Sequence, residues 1–234
     1  MRIAMWSGPR NISTAMMRAF ENRPDTAVWD EPFYGAYLEM TGADHPMRDE
    51  IAAGCETDPE KVARRCAGPV PDGKSHWYLK HMPHHMTAEM PLDWATDCVN
   101  IHLIRHPARV VASYAAKRDD VTFEDIGFGQ QDAIYERFGG LVIDSADIRN
   151  APKAMLTALC EAVDLEFDPS MLDWPKGGNA SDGPWAAHWY GSVHASTGFA
   201  GPEGALPQLS GNQATLASRA LPFYEKLHAK RLIA

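Results

Sequence analysis

The chain has 234 residues, of which 45% are hydrophobic and 23% charged, and its formal net charge is −9. That is enough apolar chain for one substantial core, which excludes a disordered protein. The acidic balance argues against nucleic-acid or anionic-membrane partners, so any polyanionic ligand must be held by a local basic cluster.

One domain over residues 1–234, in the cytoplasm, is the expectation. The N-terminus reads as a strand rather than a leader, and no segment approaches the roughly 18 apolar residues of a membrane span. Cys55, Cys66, Cys98 and Cys160 show neither CxxC spacing nor the density of a disulfide scaffold, which predicts free thiols.

The apolar run at 2–6 predicts a first strand, and SGPRNIST leads from it straight into a helix at 14–21. A turn from a buried strand into a helix N-terminus aims backbone N–H groups and the helix dipole at one spot, a cradle for phosphate or sulfate. The loop lacks the Lys of a GxxxxGK[ST] phosphate loop. Its cation is Arg10, followed by Ser13 and Thr14, so it offers a guanidinium fork and two hydroxyls without needing a metal. An ordinary turn with Ser or Thr as helix cap is the plain alternative.

Further strands are predicted at 27–29, 77–80, 99–104 and 141–143, and further helices at 107–117, 151–163 and 214–229. This alternation predicts an α/β three-layer sandwich on a mainly parallel central sheet. Residues 41–75, rich in Gly, Pro and charge apart from a helix at 59–66, read as a surface insertion and a candidate cap for the ligand site. Residues 175–210, with Gly spaced among aromatics, read as an irregular lid.

After the strand VNIHLI, Arg105 stands at the strand end and Ser113 lies on the second turn of the next helix, a separation at which both can reach one phosphate. With these residues the chain resembles the sulfotransferases that use 3′-phosphoadenosine 5′-phosphosulfate (PAPS). In that family a first-strand loop grips the phosphosulfate and an R-P-S pattern after a later strand grips the 3′-phosphate. Arg105, Pro107 and Ser113 match the latter. SGPRNIST looks like the bacterial and carbohydrate-type phosphosulfate loop, with Arg in place of Lys.

The resemblance implies a P-loop, nucleotide-kinase-like sulfotransferase fold. It implies cofactor contacts from Gly8, Pro9, Arg10, Asn11, Ile12, Ser13, Thr14, Arg105 and Ser113, and no metal. Ile12 stands where related loops often carry Gly, His106 replaces a common Asp, and no RKG segment appears near the C-terminus. The implied reaction moves a sulfuryl group from PAPS to a hydroxyl or amine of a small-molecule or carbohydrate-like acceptor. A nucleotide kinase, with Asp144 at a strand end, and a silent adenosine-bisphosphate-binding module remain as rivals.

Sulfuryl transfer needs a base for the acceptor proton and cations for the departing phosphate. Lys80 and His81 end the strand YLKHMP, where open α/β sheets place ligands, and HMP resembles the family's His-x-Pro segment, which carries the base. His81 is therefore one candidate base, with Arg10 and Lys80 as charge stabilisers. Glu31 in WDEPFY is the other, because some members use a carboxylate and aromatic surroundings raise its pKa by desolvation.

Asp30 and Glu31 are adjacent, so at a strand end they should point to opposite sides, and a helix cap is the plain explanation of Asp30. His84 and His85 beside His81 invite zinc, but read as surface histidines on a loop; His102 reads as buried and hydrogen-bonded. Trp185, Trp189 and Tyr190 either face a ligand or pack the lid.

Overall fold

The computed structural model describes residues 1–234. Five strands, β1 (Arg2–Ser7), β2 (Thr26–Asp30), β3 (His76–His81), β4 (Val99–Ile104) and β5 (Leu141–Asp144), form one parallel sheet in the order β2-β3-β1-β4-β5. Each predicted strand is present, because a parallel strand covered on both faces reads as a near-continuous apolar run.

The helices are α1 (Ser13–Glu21), α2 (Tyr34–Thr41), α3 (Arg48–Gly54), α4 (Pro59–Cys66), α5 (Pro107–Ala115), α6 (Phe128–Phe138), α7 (Ser145–Asn150), α8 (Pro152–Ala162), α9 (Ala186–Trp189), α10 (Gly191–His194) and α11 (Gly211–His228). Local chemistry starts several of them. Asp58 caps α4 by accepting from the N–H groups of Glu60 and Lys61, ahead of Pro59 in the first turn. Pro107 opens α5, with His106 Nδ1 accepting from Ala108 N. None of these helices is long and apolar enough to cross a membrane.

Alternation along the strands splits the core into two layers. Ile3 and Met5 face α1 and α8 with Met16, Phe20 and Leu156, while Ala4 and Trp6 face the other side with Val62, Leu79, Trp94 and Ile134. A further cluster packs Ile104 and Val142 of the sheet against α5 and α11. Each fully buried side chain of this kind contributes about 1.5–3 kcal/mol. The result is the expected three-layer α/β sandwich. All four cysteines are free thiols, and His102 is buried with Nε2 3.0 Å from the Gly139 carbonyl.

The topology fixes where a ligand can sit. The chain leaves β1 towards β2 and leaves β4 towards β5, although β1 and β4 are neighbours. Their departing loops diverge and open a crevice at the carboxyl ends of the strands, the place where open α/β sheets bind ligands.

Candidate active site

That crevice is an open cavity of about 910 Å³, counting its mouth, walled by Pro9, Arg10, Asn11, Ile12, Ser13 and Thr14 after β1 and by Arg105 and Ser113 after β4. The two sequence patches, almost a hundred residues apart, therefore share one site. Arg10 Nε donates to Ser113 Oγ at 3.0 Å, and Arg105 Nη1 donates to the Arg10 carbonyl. Gly8 does not line the cavity. A Cβ there would stand 2.9 Å from the Ile126 carbonyl oxygen, so this glycine lets the loop pass under the segment before α6.

The loop is held in an uncommon shape. Arg10 and Ile12 both have left-handed backbones, φ 61° and 55°, and Ile12 is the residue preceding α1. This accounts for the glycine of related loops at position 12: the left-handed region favours Gly and costs a β-branched residue about 1–2 kcal/mol. No side chain caps α1. Its first-turn N–H groups have no intrahelical acceptor, so they and the dipole remain available to an anion, and Ser or Thr as cap is excluded. Asn11 differs from expectation, because its Nδ2 donates to the Leu103 carbonyl at 2.6 Å and ties the loop to β4.

Burial pulls the Arg10 guanidinium pKa down, and the neighbouring Arg105 pulls it further. An anion between the two relieves that repulsion.

The C-terminal end of β3 corrects two expectations, since neither Lys80 nor His81 reaches the cavity. His81 is enclosed by Trp6 (ring centroids 4.8 Å apart), Trp94 (4.6 Å) and Phe33 (5.9 Å), and its Nε2 has no partner. Burial lowers its pKa to about 3, with Lys80 adding to the shift, so it is neutral but shielded from any ligand. Lys80, fully buried on the opposite face, spends its ammonium on Asp30 Oδ1 (2.7 Å), Glu31 Oε1 (2.6 Å) and Tyr190 OH (2.6 Å).

Asp30 and Glu31 thus meet the same Lys80 rather than opposite sides. Glu31 lies one residue beyond β2 with φ 41°, and this left-handed turn swings its side chain back. Asp30 is no helix cap, since Phe33 precedes α2. Glu31 walls the cavity, and only its Oε1 is bonded to protein, to Lys80 and more weakly to Tyr190 (3.2 Å). Oε2 is free. Burial raises the Glu31 pKa against the opposing pull of Lys80, and Asp30 raises it further, because one ammonium cannot neutralise two buried carboxylates.

Part of the 175–210 segment, in and beside the short helices α9 and α10, borders the cavity. Trp189, Tyr190, Ser192 and Val193 complete the wall, and Tyr190 OH accepts from Trp185 Nε1 (2.8 Å) and donates to Asp30 Oδ2 (2.8 Å). Trp185 packs on Tyr34 instead of facing a ligand. From the 41–75 insertion, His45 reaches the cavity and bonds Tyr34 OH through Nδ1 (2.8 Å), while Arg118 donates to its Nε2 (2.8 Å). His45 Nε2 being the acceptor, Nδ1 carries the proton, and the Tyr34 hydroxyl proton is uncommitted.

His84 and His85 are buried, not on the surface; both line the cavity, and His85 stacks on Tyr34 (4.4 Å) and Tyr37 (4.9 Å). No group of three His, Cys, Asp or Glu side chains is arranged to hold a metal. Asp144, the carboxylate a kinase would need, caps α7 through Ala146 N (2.7 Å) and accepts from Tyr224 OH (2.8 Å).

A family model described as a sulfotransferase domain matches residues 1–231 of the chain. Two Arabidopsis thaliana proteins, branched-chain-amino-acid aminotransferase-like proteins 2 and 1, are 34% identical to it over 206 and 232 residues, 86% and 97% of this chain. The chain spans 36% and 41% of their lengths. Among solved structures, the sulfotransferase domain from the curacin biosynthetic pathway shares the fold at a TM-score of 0.51 and 13% identity, over 99% of this chain and 98% of that one.

Proposed function

The chain belongs to the sulfotransferase domain family, and from that membership we propose that it moves a sulfuryl group from PAPS to a hydroxyl or amine of a small-molecule or carbohydrate-like acceptor. The observation that carries this reading is the meeting of the uncapped α1 terminus and Arg10 with Arg105 and Ser113 in one cavity, with a free Glu31 oxygen on its wall. When bound, PAPS supplies the sulfuryl group and a phosphate leaving group. The chain supplies everything else.

In this reading the first-turn N–H groups of α1 and the Ser13 and Thr14 hydroxyls hold the phosphosulfate, and Arg105 and Ser113 hold the 3′-phosphate. Arg10 lies between them and offsets charge on the leaving phosphate oxygen as its bond to sulfur breaks. Glu31 Oε2 takes the acceptor proton as the new bond to sulfur forms, while Lys80 and Tyr190 fix the carboxylate through Oε1. Tyr34, with its uncommitted O–H, and Trp189 shape the acceptor end.

Thermal unfolding tests the reading. Adenosine 3′,5′-bisphosphate at a hundred times its Kd, without Mg²⁺, should add about 2.7 kcal/mol and raise Tm by roughly 5–10 °C. Acceptor-dependent consumption of PAPS should follow. Stabilisation by Mg²⁺-ATP but not by the bisphosphate would overturn the reading in favour of a kinase, and binding without turnover would mark a silent module.

A further inference from the structure

Behind Arg105 lies a cluster that the sequence patterns did not single out. The carboxylate of Glu203, 3% exposed, meets three guanidiniums: Oε1 accepts from Arg105 Nε (3.0 Å) and Nη2 and from Arg149 Nη1 (2.8 Å), while Arg109 Nε stands 2.8 Å from Oε2 as an ion pair without hydrogen-bond geometry. Three cations on one anion leave a surplus of two positive charges in a protein whose net charge is −9.

The residues around Glu203 are clasped by the same side chains. Arg149 Nε donates to the Gly201 carbonyl (2.8 Å) and Arg109 Nη2 to that of Gly204. The segment carrying the carboxylate is thereby pinned at both sides.

Of the three arginines, only Arg105 borders the cavity. A guanidinium has five N–H donors in a fixed plane. Glu203 takes Nε–H and one N–H of Nη2, and the Arg10 carbonyl takes one of Nη1. One N–H on each terminal nitrogen is left, which is the inventory for binding a phosphate through two parallel hydrogen bonds.

We propose that Glu203 is a positioning residue for the second phosphate, locking the Arg105 plane from behind while Arg109 and Arg149 hold Glu203 and supply long-range positive charge. This rests on the proposed function and deepens it. Arg105 is then pre-set before the nucleotide arrives, and binding does not have to order a long side chain. The same cluster would stand in for the RKG segment that many cytosolic members of the resembled family use for the 3′-phosphate and that this chain lacks.

The test compares Kd values for adenosine 3′,5′-bisphosphate and adenosine 5′-monophosphate, which lacks the second phosphate, in wild type, Glu203→Gln, Glu203→Asp and Arg149→Met. The expected result is a loss of tenfold or more in bisphosphate affinity in Glu203→Gln with monophosphate affinity unchanged, a smaller loss of the same kind in Arg149→Met, and partial rescue in Glu203→Asp. Equal loss for both nucleotides would reduce Glu203 to general structural support and overturn the proposal. Unchanged bisphosphate binding would overturn it too, and tighter binding would make Glu203 a competitor of the phosphate. If wild type itself shows no preference for the bisphosphate, the second phosphate site is misassigned whatever Glu203 does.

Discussion

β1 and β3 lie side by side in the sheet, paired in register with Trp6 opposite His81, and both end in residues able to do chemistry. Their fates are opposite. β1 runs into a loop whose Arg10, Ser13 and Thr14 face the cavity, whereas Lys80 and His81 at the end of β3 are sealed in. The difference is in what covers each end: past β1 the diverging loops leave an opening, and past β3 aromatic rings close one face while Tyr190 and two carboxylates close the other. A polar side chain at a strand's carboxyl end reacts only where the topology leaves a crevice.

The sharpest way to break this comparison is to exchange the two candidate bases. Glu31→Gln should lower turnover by about 10²–10⁴-fold with nucleotide affinity intact, while His81→Phe, which keeps a flat ring between Trp6 and Trp94, should change turnover by less than about threefold. Single-turnover rates with PAPS decide it, and equal losses in both variants would place β3 back at the reaction centre. Because Glu31 is raised, its loss of activity on acidification should begin above the ordinary carboxylate range.

Lys80 sharpens the comparison from the side of stability. Lys80→Met strands Asp30 and Glu31 without their cation and should destabilise the fold by about 3–5 kcal/mol, as removal of one partner from a buried ion pair does. Urea unfolding followed by tryptophan fluorescence would read it, and a loss below about 1 kcal/mol would show the cluster to be wetter than its burial indicates.

The smallest effect concerns the histidines. Burial holds His81 and His84 at about 3, and His45 and His102 at about 4, below the usual 6.5. The unfolded chain therefore binds protons that the folded one refuses, so stability is complete above about pH 6.5 and declines as pH falls towards the folded values. Each imidazole adds up to about 1.4 kcal/mol per pH unit to that slope. His81→Phe should flatten the acid limb by up to one such share, measured as Tm between pH 7 and pH 5; an unchanged slope would mean that His81 is protonated in the fold.

The sequence made the sheet legible because each strand is an apolar run of its own, and it made the anion cradle legible because Arg10, Ser13 and Thr14 are neighbours in the chain. It hid α6, whose FGQQDAIYERF segment buries only Phe128, Gln131 and Ile134. It showed α2 only as the helix that Asp30 was to cap, and misplaced that cap, because Tyr34 and Leu38 pack against parts distant in sequence. Lys80 and His81 were legible as the end of a strand, but nothing local told that Tyr190 and Trp94 would seal them in on opposite faces. Arg109, in the first turn of α5 and four residues after Arg105, carried a usable signal; Glu203, a lone acid in a Gly-rich stretch, carried none until three arginines met on it.

The bond from Tyr190 to the Asp30, Glu31 and Lys80 cluster makes the covering segment a fastener as well as a wall. Peeling it away would strip Lys80 and both carboxylates of the one hydroxyl they share. Ligand traffic is accordingly expected through the standing mouth beside Arg10 and Ser113, with the covering segment staying fastened from one turnover to the next.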